Sequence, residues 1–117
     1  MKYLLLIYSV EAEFAKAAAA GRLPEIIGGH ERLQADLTGA GVEWAAERLT
    51  PVATAKTVAK DGDGHSLHDG PFGETKEQLG GYYLVDVADI DAALAWARKI
   101  PLLDGGKVEV RPVMDRN

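Results

Sequence analysis

The chain has 117 residues, with 13 Lys and Arg against 18 Asp and Glu, no Cys, and 47% hydrophobic residues. This profile predicts one globular domain, which can bury about two thirds of the surface of its unfolded chain without disulfides or a structural metal. The absence of Cys excludes disulfide scaffolds, thiolate zinc sites, iron–sulfur clusters and cysteine nucleophiles. The net charge of −5 argues against a surface for nucleic acid or anionic membranes. Small molecules and proteins remain as partners.

The apolar start of the chain favours a buried strand over a secretory signal. Glu11 and Glu13 separate residues 2–8 from the alanines that follow. A signal peptide instead has a basic start, an apolar stretch and a small-residue cleavage site. No stretch reaches the roughly 18 to 20 apolar residues that a membrane span requires. We therefore expect a cytoplasmic protein.

Hydrophobic periodicity predicts two strand–helix–strand halves joined by a hairpin. The predicted elements are a strand at 2–8, helices at 11–20 and from Pro24 to near Gly39, strands at 42–49 and 53–60, a turn at 61–64, a short strand at 66–68, a loop at 69–73, a strand at 79–87, a helix from Asp89 to Ile100 and a strand at 107–113. This order predicts an α+β fold, a ferredoxin-like sandwich with both main helices on one face of an antiparallel sheet. Residues 1–117 are expected to form one domain.

The first strand is apolar on both of its faces. One face carries Tyr3, Leu5 and Ile7, and the other carries Leu4, Leu6 and Tyr8. A two-layer monomer would leave one of these faces in water. We therefore expect a homodimer, packed sheet to sheet or with strands exchanged at the edge.

The second predicted helix carries a histidine on its apolar face. The helical spacing joins Ile26, His30, Leu33 and Leu37. A histidine in this place loses solvation and needs a partner for its ring N–H, and a loop carboxylate would give it a general acid–base arrangement. The alternative is a core histidine that is bonded to a backbone carbonyl.

Two glycines precede this histidine, although each costs a helix about 1 kcal/mol relative to Ala. Gly28 and Gly29 lie within one turn of His30. Two explanations stay open: the glycines admit a ligand or a neighbouring backbone, or the helix begins later, near His30.

The segment Asp69-Gly70-Pro71-Phe72-Gly73 and the residues up to Tyr83 closely resemble the DGPF-type members of the YCII-related domain family. The likeness extends to residues 2–8, 91–97 and 108–113, and therefore to nearly the whole chain. The resemblance implies a ferredoxin-like, dimeric α/β barrel. Family members have been suggested to be enzymes because of a His and an Asp in a cleft, and related domains occur beside or fused to sigma factors of the extracytoplasmic-function type. Carried onto this chain, these residues are His30 and Asp69.

The loop after Asp69 and the strand that follows supply further candidates for contact with a substrate. These are Gly70, Pro71, Phe72, Lys76 and Tyr82. Phe72 is interpreted as a core side chain, with a pocket wall as the alternative. Lys76 either belongs to a solvated edge or meets an anionic substrate. Tyr82 and Tyr83 point to opposite faces of their strand, so that one hydroxyl can reach a cleft.

The other clusters of polar residues do not predict a metal, phosphate or catalytic site. His65 and His68 are three residues apart on a strand and point to opposite faces, so they cannot chelate one metal ion. Residues 61–65 begin like a calcium loop, but Phe72 stands where the bidentate Glu is required. The glycine patterns that cradle phosphates and the elbow motif of serine nucleophiles are both absent. No metal or cofactor is predicted.

Two functions stay open. The first is a cofactor-independent small-molecule enzyme, hydrolase- or isomerase-like, with His30 as acid or base and Asp69 as its orienter in a cleft near the dimer interface. The second is a non-catalytic ligand-binding or regulatory module, for which the resemblance implies a link with sigma factors. A structural dimer without a ligand is disfavoured by the Gly and Pro content of the loop after Asp69.

Overall fold

Residues 1–115 are described by a computed structural model, which combines a four-stranded sheet, three helices and a separate hairpin. The elements are β1 Lys2–Ser9, α1 Glu11–Ala19, α2 Leu23–Gly39, β2 Glu43–Arg48, a 3-10 turn Val52–Thr54, β3 Lys56–Asp61, β4 Gly64–Asp69, β5 Gln78–Asp86, α3 Ile90–Ala97 and β6 Lys107–Pro112. The predicted α+β class is confirmed. No helix in this described part of the chain is long and apolar enough to cross a membrane.

The main sheet has the strand order β2-β5-β1-β6, and all of its strand pairs are antiparallel. β1 lies in the interior of the sheet, between β5 and β6, as its continuous apolar sequence favours. Tyr3 and Leu5 point towards the helices and are buried, whereas Leu4 and Leu6 lie on the opposite face and are half-buried. The alternation predicted for β1 is therefore confirmed.

The hydrophobic core lies between one face of this sheet and the helices α2 and α3. The sheet contributes Tyr3, Leu5, Tyr83 and Val85, α2 contributes Leu33 and Leu37, and α3 contributes Ala93 and Ala97. Asp89 caps α3 as predicted, because its carboxylate accepts a hydrogen bond of 2.9 Å from the backbone N–H of Ala92. The position of α2 over the sheet fixes the side from which His30 meets β5.

Two predicted boundaries differ from the structure by three residues. The third strand begins at Lys56, not at residue 53, because the hydroxyl and the N–H of Thr54 both donate to the carbonyl of Pro51 and close a 3-10 turn. α3 ends at Ala97, not at Ile100. Ile100 is nevertheless buried, since its N–H donates to the carbonyl of Ala97 and holds the chain in a tight turn.

The hairpin of β3 and β4 forms a sheet of its own, and every residue of β4 is exposed. Val58 pairs with Leu67 across the two strands, and these side chains are 66% and 69% exposed. Gly62 turns the hairpin with a φ of +60°, which suits glycine. The returning strand is longer than the predicted 66–68 and includes Asp69, which was predicted to lie in a loop.

The close approach of α2 to the loop after α3 explains one of the two helical glycines. A Cβ atom on Gly29 would lie 2.7 Å from Cγ of Pro101, whereas one on Gly28 would meet the guanidinium of Arg32 at 3.4 Å. α2 also begins at Leu23, so the explanation that the helix starts near His30 is wrong. Gly29 admits a neighbouring side chain.

We expect Gly29→Ala to destabilise the protein by about 1–3 kcal/mol, because the Pro101 ring must move to make room for the added methyl group. Gly39→Ala is the matched control in the same helix, since nothing lies within 4 Å of its Cβ position. Alanine there should be neutral or stabilise the protein by up to about 1 kcal/mol. Urea unfolding measures both values. A Gly29→Ala protein as stable as Gly39→Ala would contradict the contact.

Candidate functional site

A cavity of about 380 Å³ lies between α2, the ends of β1, β2 and β5, and the loop after α3. Its apolar wall includes Ile7, Phe14, Ile26, Ile27, Pro101 and Leu102, and its polar lining includes Ser9, His30, Glu31, Gln34, Glu47, Arg48, Tyr82 and Tyr83. This volume and this mixture of many apolar and few polar groups are typical of sites for small molecules.

A glycine on β5 leaves room for the cavity. Gly81 lies two residues before Tyr83 and therefore on the same face of the strand, the face that α2 covers. A side chain at this position would fill space beneath the helix. Its Cβ atom would also lie 2.8 Å from the carbonyl oxygen of Glu47 on the neighbouring strand. Gly81 is therefore required both by the sheet and by the cavity.

A hydrogen-bonded trio forms the polar centre of the site. Nδ1 of His30 lies 2.8 Å from the hydroxyl oxygen of Tyr83, and Nε2 of Gln34 donates to the same oxygen at 3.2 Å. The rings of His30 and Tyr83 are nearly parallel, with an interplanar angle of 9°. Tyr83 is 2% exposed, so its hydroxyl is held in place by the core on one side and by α2 on the other.

The trio bears on where the imidazole proton lies. The Tyr83 oxygen accepts from Gln34, and Nδ1 of His30 is within hydrogen-bond distance of the same hydroxyl. When the single hydrogen of the hydroxyl is donated to Nδ1, the proton of a neutral His30 lies on Nε2. We assign this tautomer, in which His30 presents an Nε2–H donor.

His30 is held in its neutral form. Burial lowers its pKa below the ordinary histidine value, and the positive charge of Arg48 lowers the pKa further. Burial also raises the pKa of Tyr83, an effect that outweighs the opposing effect of the hydrogen bond from Gln34. At neutral pH the pair is a neutral imidazole and a neutral phenol. Such an imidazole can donate a hydrogen bond to a ligand oxygen on which negative charge develops.

Arg48 is the positive charge of the cavity lining. It is the last residue of β2, and its guanidinium carbon lies 4.5 Å from the centre of the Phe14 ring. Within the described residues 1–115, no carboxylate lies within ion-pair distance of Arg48. The stacking on Phe14 orients the guanidinium and leaves its N–H groups for another acceptor.

The predicted site residues divide into two groups. His30 and Tyr82 line the cavity, whereas the residues outside its lining are Asp69, Gly70, Pro71, Phe72 and Lys76. The carboxylate of Asp69 pairs with Lys56 across the hairpin, and the single chain does not bring it to His30. The interpretation of Phe72 as a core side chain is wrong, because this ring is 90% exposed. The short, exposed hairpin holds these residues away from the helices.

Sequence reasoning missed three residues of the site: Gln34, Arg48 and Tyr83. Gln34 lies four residues after His30 on the same face of α2, a spacing that could have identified it. Of Tyr82 and Tyr83, one was expected to lie in the core or at the dimer interface and the other to offer its hydroxyl to a cleft, whereas Tyr83 is both in the core and at the cavity. The alternative in which His30 is bonded to a backbone carbonyl is wrong, since its partner is this hydroxyl. Nothing in the local sequence marks Arg48.

Comparison with known proteins agrees with the resemblance seen in the sequence. The family model of the YCII-related domain matches residues 1–117. An uncharacterised protein of Rhizobium meliloti (strain 1021) is 39% identical over 92 residues, which cover 71% of this chain and 74% of that protein. The match to the family model spans the helices and strands that build the cavity.

Proposed function

The chain belongs to the YCII-related domain family, and on that premise we propose that it is a cofactor-independent enzyme that acts on a small molecule bound beside His30. The observation that carries this proposal is the hydrogen bond between His30 and the buried Tyr83 at the wall of an apolar cavity. A polar pair in such a place, with pKa values shifted by burial, is typical of a functional site.

In this proposal His30 works on the acid side of the reaction. Its Nε2–H donates to a substrate oxygen that gains negative charge in the transition state, as in isomerase- and hydrolase-like reactions of carbonyl compounds. Tyr83 is a positioning residue, because its hydroxyl bonds to Nδ1 and thereby keeps the proton on Nε2. Gln34 orients the Tyr83 hydroxyl in turn. No cofactor takes part.

We further propose that a second copy of the chain covers the hairpin and the open face of the main sheet, giving the homodimer and the dimeric α/β barrel. Three exposed apolar side chains, Val58, Leu67 and Phe72, support this arrangement. A two-stranded hairpin without a buried residue is marginally stable alone. In the dimer, Asp69 and the loop after it are expected to approach the partner's cavity, which would restore a role for Asp69 beside His30.

The homodimer predicts a solution mass of twice the chain mass of 12.5 kDa by multi-angle light scattering. Leu67→Lys should convert the dimer to a monomer, because it places a charge in the apolar interface. Ile90→Lys is the control, since Ile90 is partly exposed at the start of α3 on the helical side of the sheet. A wild-type protein that is monomeric at working concentration would contradict the proposal.

A ligand-binding module without turnover is the alternative that uses the same cavity, and a link with sigma factors rests on the family resemblance alone. A substrate screen separates the two functions. Wild-type protein, His30→Ala and His65→Ala are incubated with a panel of small carbonyl compounds and esters, and products are followed by NMR. The enzyme proposal requires turnover that is lost in His30→Ala and kept in His65→Ala, since His65 lies on the exposed hairpin. Turnover that is equal in all three proteins would overturn the proposal.

A further inference from the structure

We propose that the cavity binds a small monocarboxylate, with the carboxylate on the Arg48 guanidinium and an apolar body against the wall formed by Ile26, Ile27 and Leu102. This inference rests on the proposed function, because it names the class of molecule that His30 would act upon. It is supported by the positive charge of Arg48, the negative charge of Glu31 and the apolar wall.

The guanidinium of Arg48 is oriented and available to bind an anion. Its guanidinium stacks on the Phe14 ring and has no carboxylate partner within the described residues 1–115. Glu47 precedes Arg48 in the chain and also lines the cavity, but adjacent side chains of a strand point to opposite faces, and the described residues show no ion pair between the two. A planar guanidinium that is fixed by stacking presents its N–H groups as a fork, which fits the two oxygens of a carboxylate.

The geometry of β2 and β5 places Arg48 beside the polar trio. Arg48 pairs with Gly81, and Gly81 is two residues from Tyr83 on the same strand. Because Gly81 has no side chain, the backbone of β2 at Glu47 and Arg48 can lie close to β5 at this point. The charge of Arg48 lowers the pKa of His30, so a carboxylate bound to Arg48 would raise that pKa. The Nε2–H of His30 remains free for a second oxygen of the ligand.

Charge and polarity restrict the ligand to one negative group. Glu31 lies on α2 in the cavity lining, and no cation lies within ion-pair distance of it in the described part of the chain. A second carboxylate on the ligand would meet this negative charge or the apolar wall of Ile26 and Leu102. At the position that we assign to the carboxylate, an amine would be repelled by Arg48. This position therefore suits a single negative group, with the apolar body of the ligand against the wall.

The test compares hexanoate with two matched compounds, hexanol and adipate, which lack the charge or carry a second one. Binding is followed by NMR at the side chains of His30 and Tyr83 in the full-length protein. Hexanoate should bind, and it should raise the pKa of His30 because it neutralises Arg48. Hexanol and adipate should each bind more weakly by about tenfold or more.

Arg48→Gln should weaken hexanoate binding by about tenfold or more, because it removes a charge-assisted hydrogen bond. Arg111→Gln is the control, since Arg111 pairs with Glu109 on β6, away from the cavity. Unfolding curves check that both variants are folded. Hexanol that binds as tightly as hexanoate, equal binding to Arg48→Gln and wild type, or no binding of hexanoate at all would each overturn the carboxylate class. Loss of turnover in His30→Ala would still support the enzyme, so the two proposals fail separately.

Discussion

His30→Ala is expected to lower turnover by about 10²–10³-fold, which is the usual effect of removing one hydrogen-bond donor from a developing negative charge. The fold should survive, because His30 is only half-buried and its neighbours Leu33 and Leu37 hold α2 on the sheet. Turnover of the substrate found in the screen measures the effect. His65→Ala, on the exposed hairpin, should keep wild-type turnover.

Tyr83→Phe is expected to lower turnover less than His30→Ala does. It removes the hydroxyl but keeps the ring, so Nδ1 of His30 loses its partner while Nε2 can still meet the substrate. A neutral hydrogen bond contributes about 0.5–1.5 kcal/mol, which corresponds to a loss of up to about tenfold in turnover. The loss should appear in kcat and not in KM, since Tyr83 acts through His30. A larger loss in Tyr83→Phe than in His30→Ala would contradict the assigned roles.

Leu37→Ala is expected to lower the free energy of unfolding by about 2–5 kcal/mol. Leu37 is 1% exposed and packs in the cluster that joins α2 to β1 and β5. Removing its side chain leaves a cavity among residues that the sheet holds in place. Because a domain of this size is stable by about 5–15 kcal/mol, this single change removes a large part of its stability.

Guanidinium unfolding of Leu37→Ala measures this loss, and Met114→Ala is the control. Met114 is 87% exposed near the end of the described chain, and its replacement should change stability by less than about 0.5 kcal/mol. A Leu37→Ala protein with the stability of Met114→Ala would mean that α2 does not pack as described. In that case the position of His30 over β5 would lose its basis.

Most of the fold could be predicted because each main element has its own periodicity. Tyr3 and Leu5 alternate with Leu4 and Leu6, and this pattern placed β1 inside a sheet. Asp89 marked the start of α3 through its ability to cap a helix. The boundary errors occurred where local hydrogen bonds compete with strand pairing, as at Thr54. Such competition depends on the exact path of the chain and leaves no periodic signal.

The site was harder to predict than the fold. His30 was recognised because a titratable side chain on an apolar helical face is unusual, and the structure places it at the cavity. Its partner was not recognised, because the distance between His30 and Tyr83 depends on how α2 crosses the sheet. Arg48 and Asp69 illustrate the same limit. Both are charged residues at strand ends, and only the arrangement of the strands separates the one at the cavity from the one on the hairpin.

We assign to His30 of the folded chain a neutral imidazole, with Nδ1 bonded to Tyr83 and a proton on Nε2. Because folding lowers the pKa of His30, the unfolded chain binds more protons than the folded chain between the folded and unfolded pKa values. Stability from this residue is therefore complete above the unfolded pKa and is lost as the pH falls through the folded pKa.

Nitrogen-15 NMR of the histidine side chains, recorded as a function of pH, tests this claim most directly. We expect that at neutral pH Nε2 of His30 carries the proton and Nδ1 does not, and that His30 titrates below the ordinary histidine value. In Tyr83→Phe the preference for the Nε2 proton should weaken. A proton on Nδ1 at neutral pH, or a His30 pKa at or above the ordinary histidine value, would contradict this assignment.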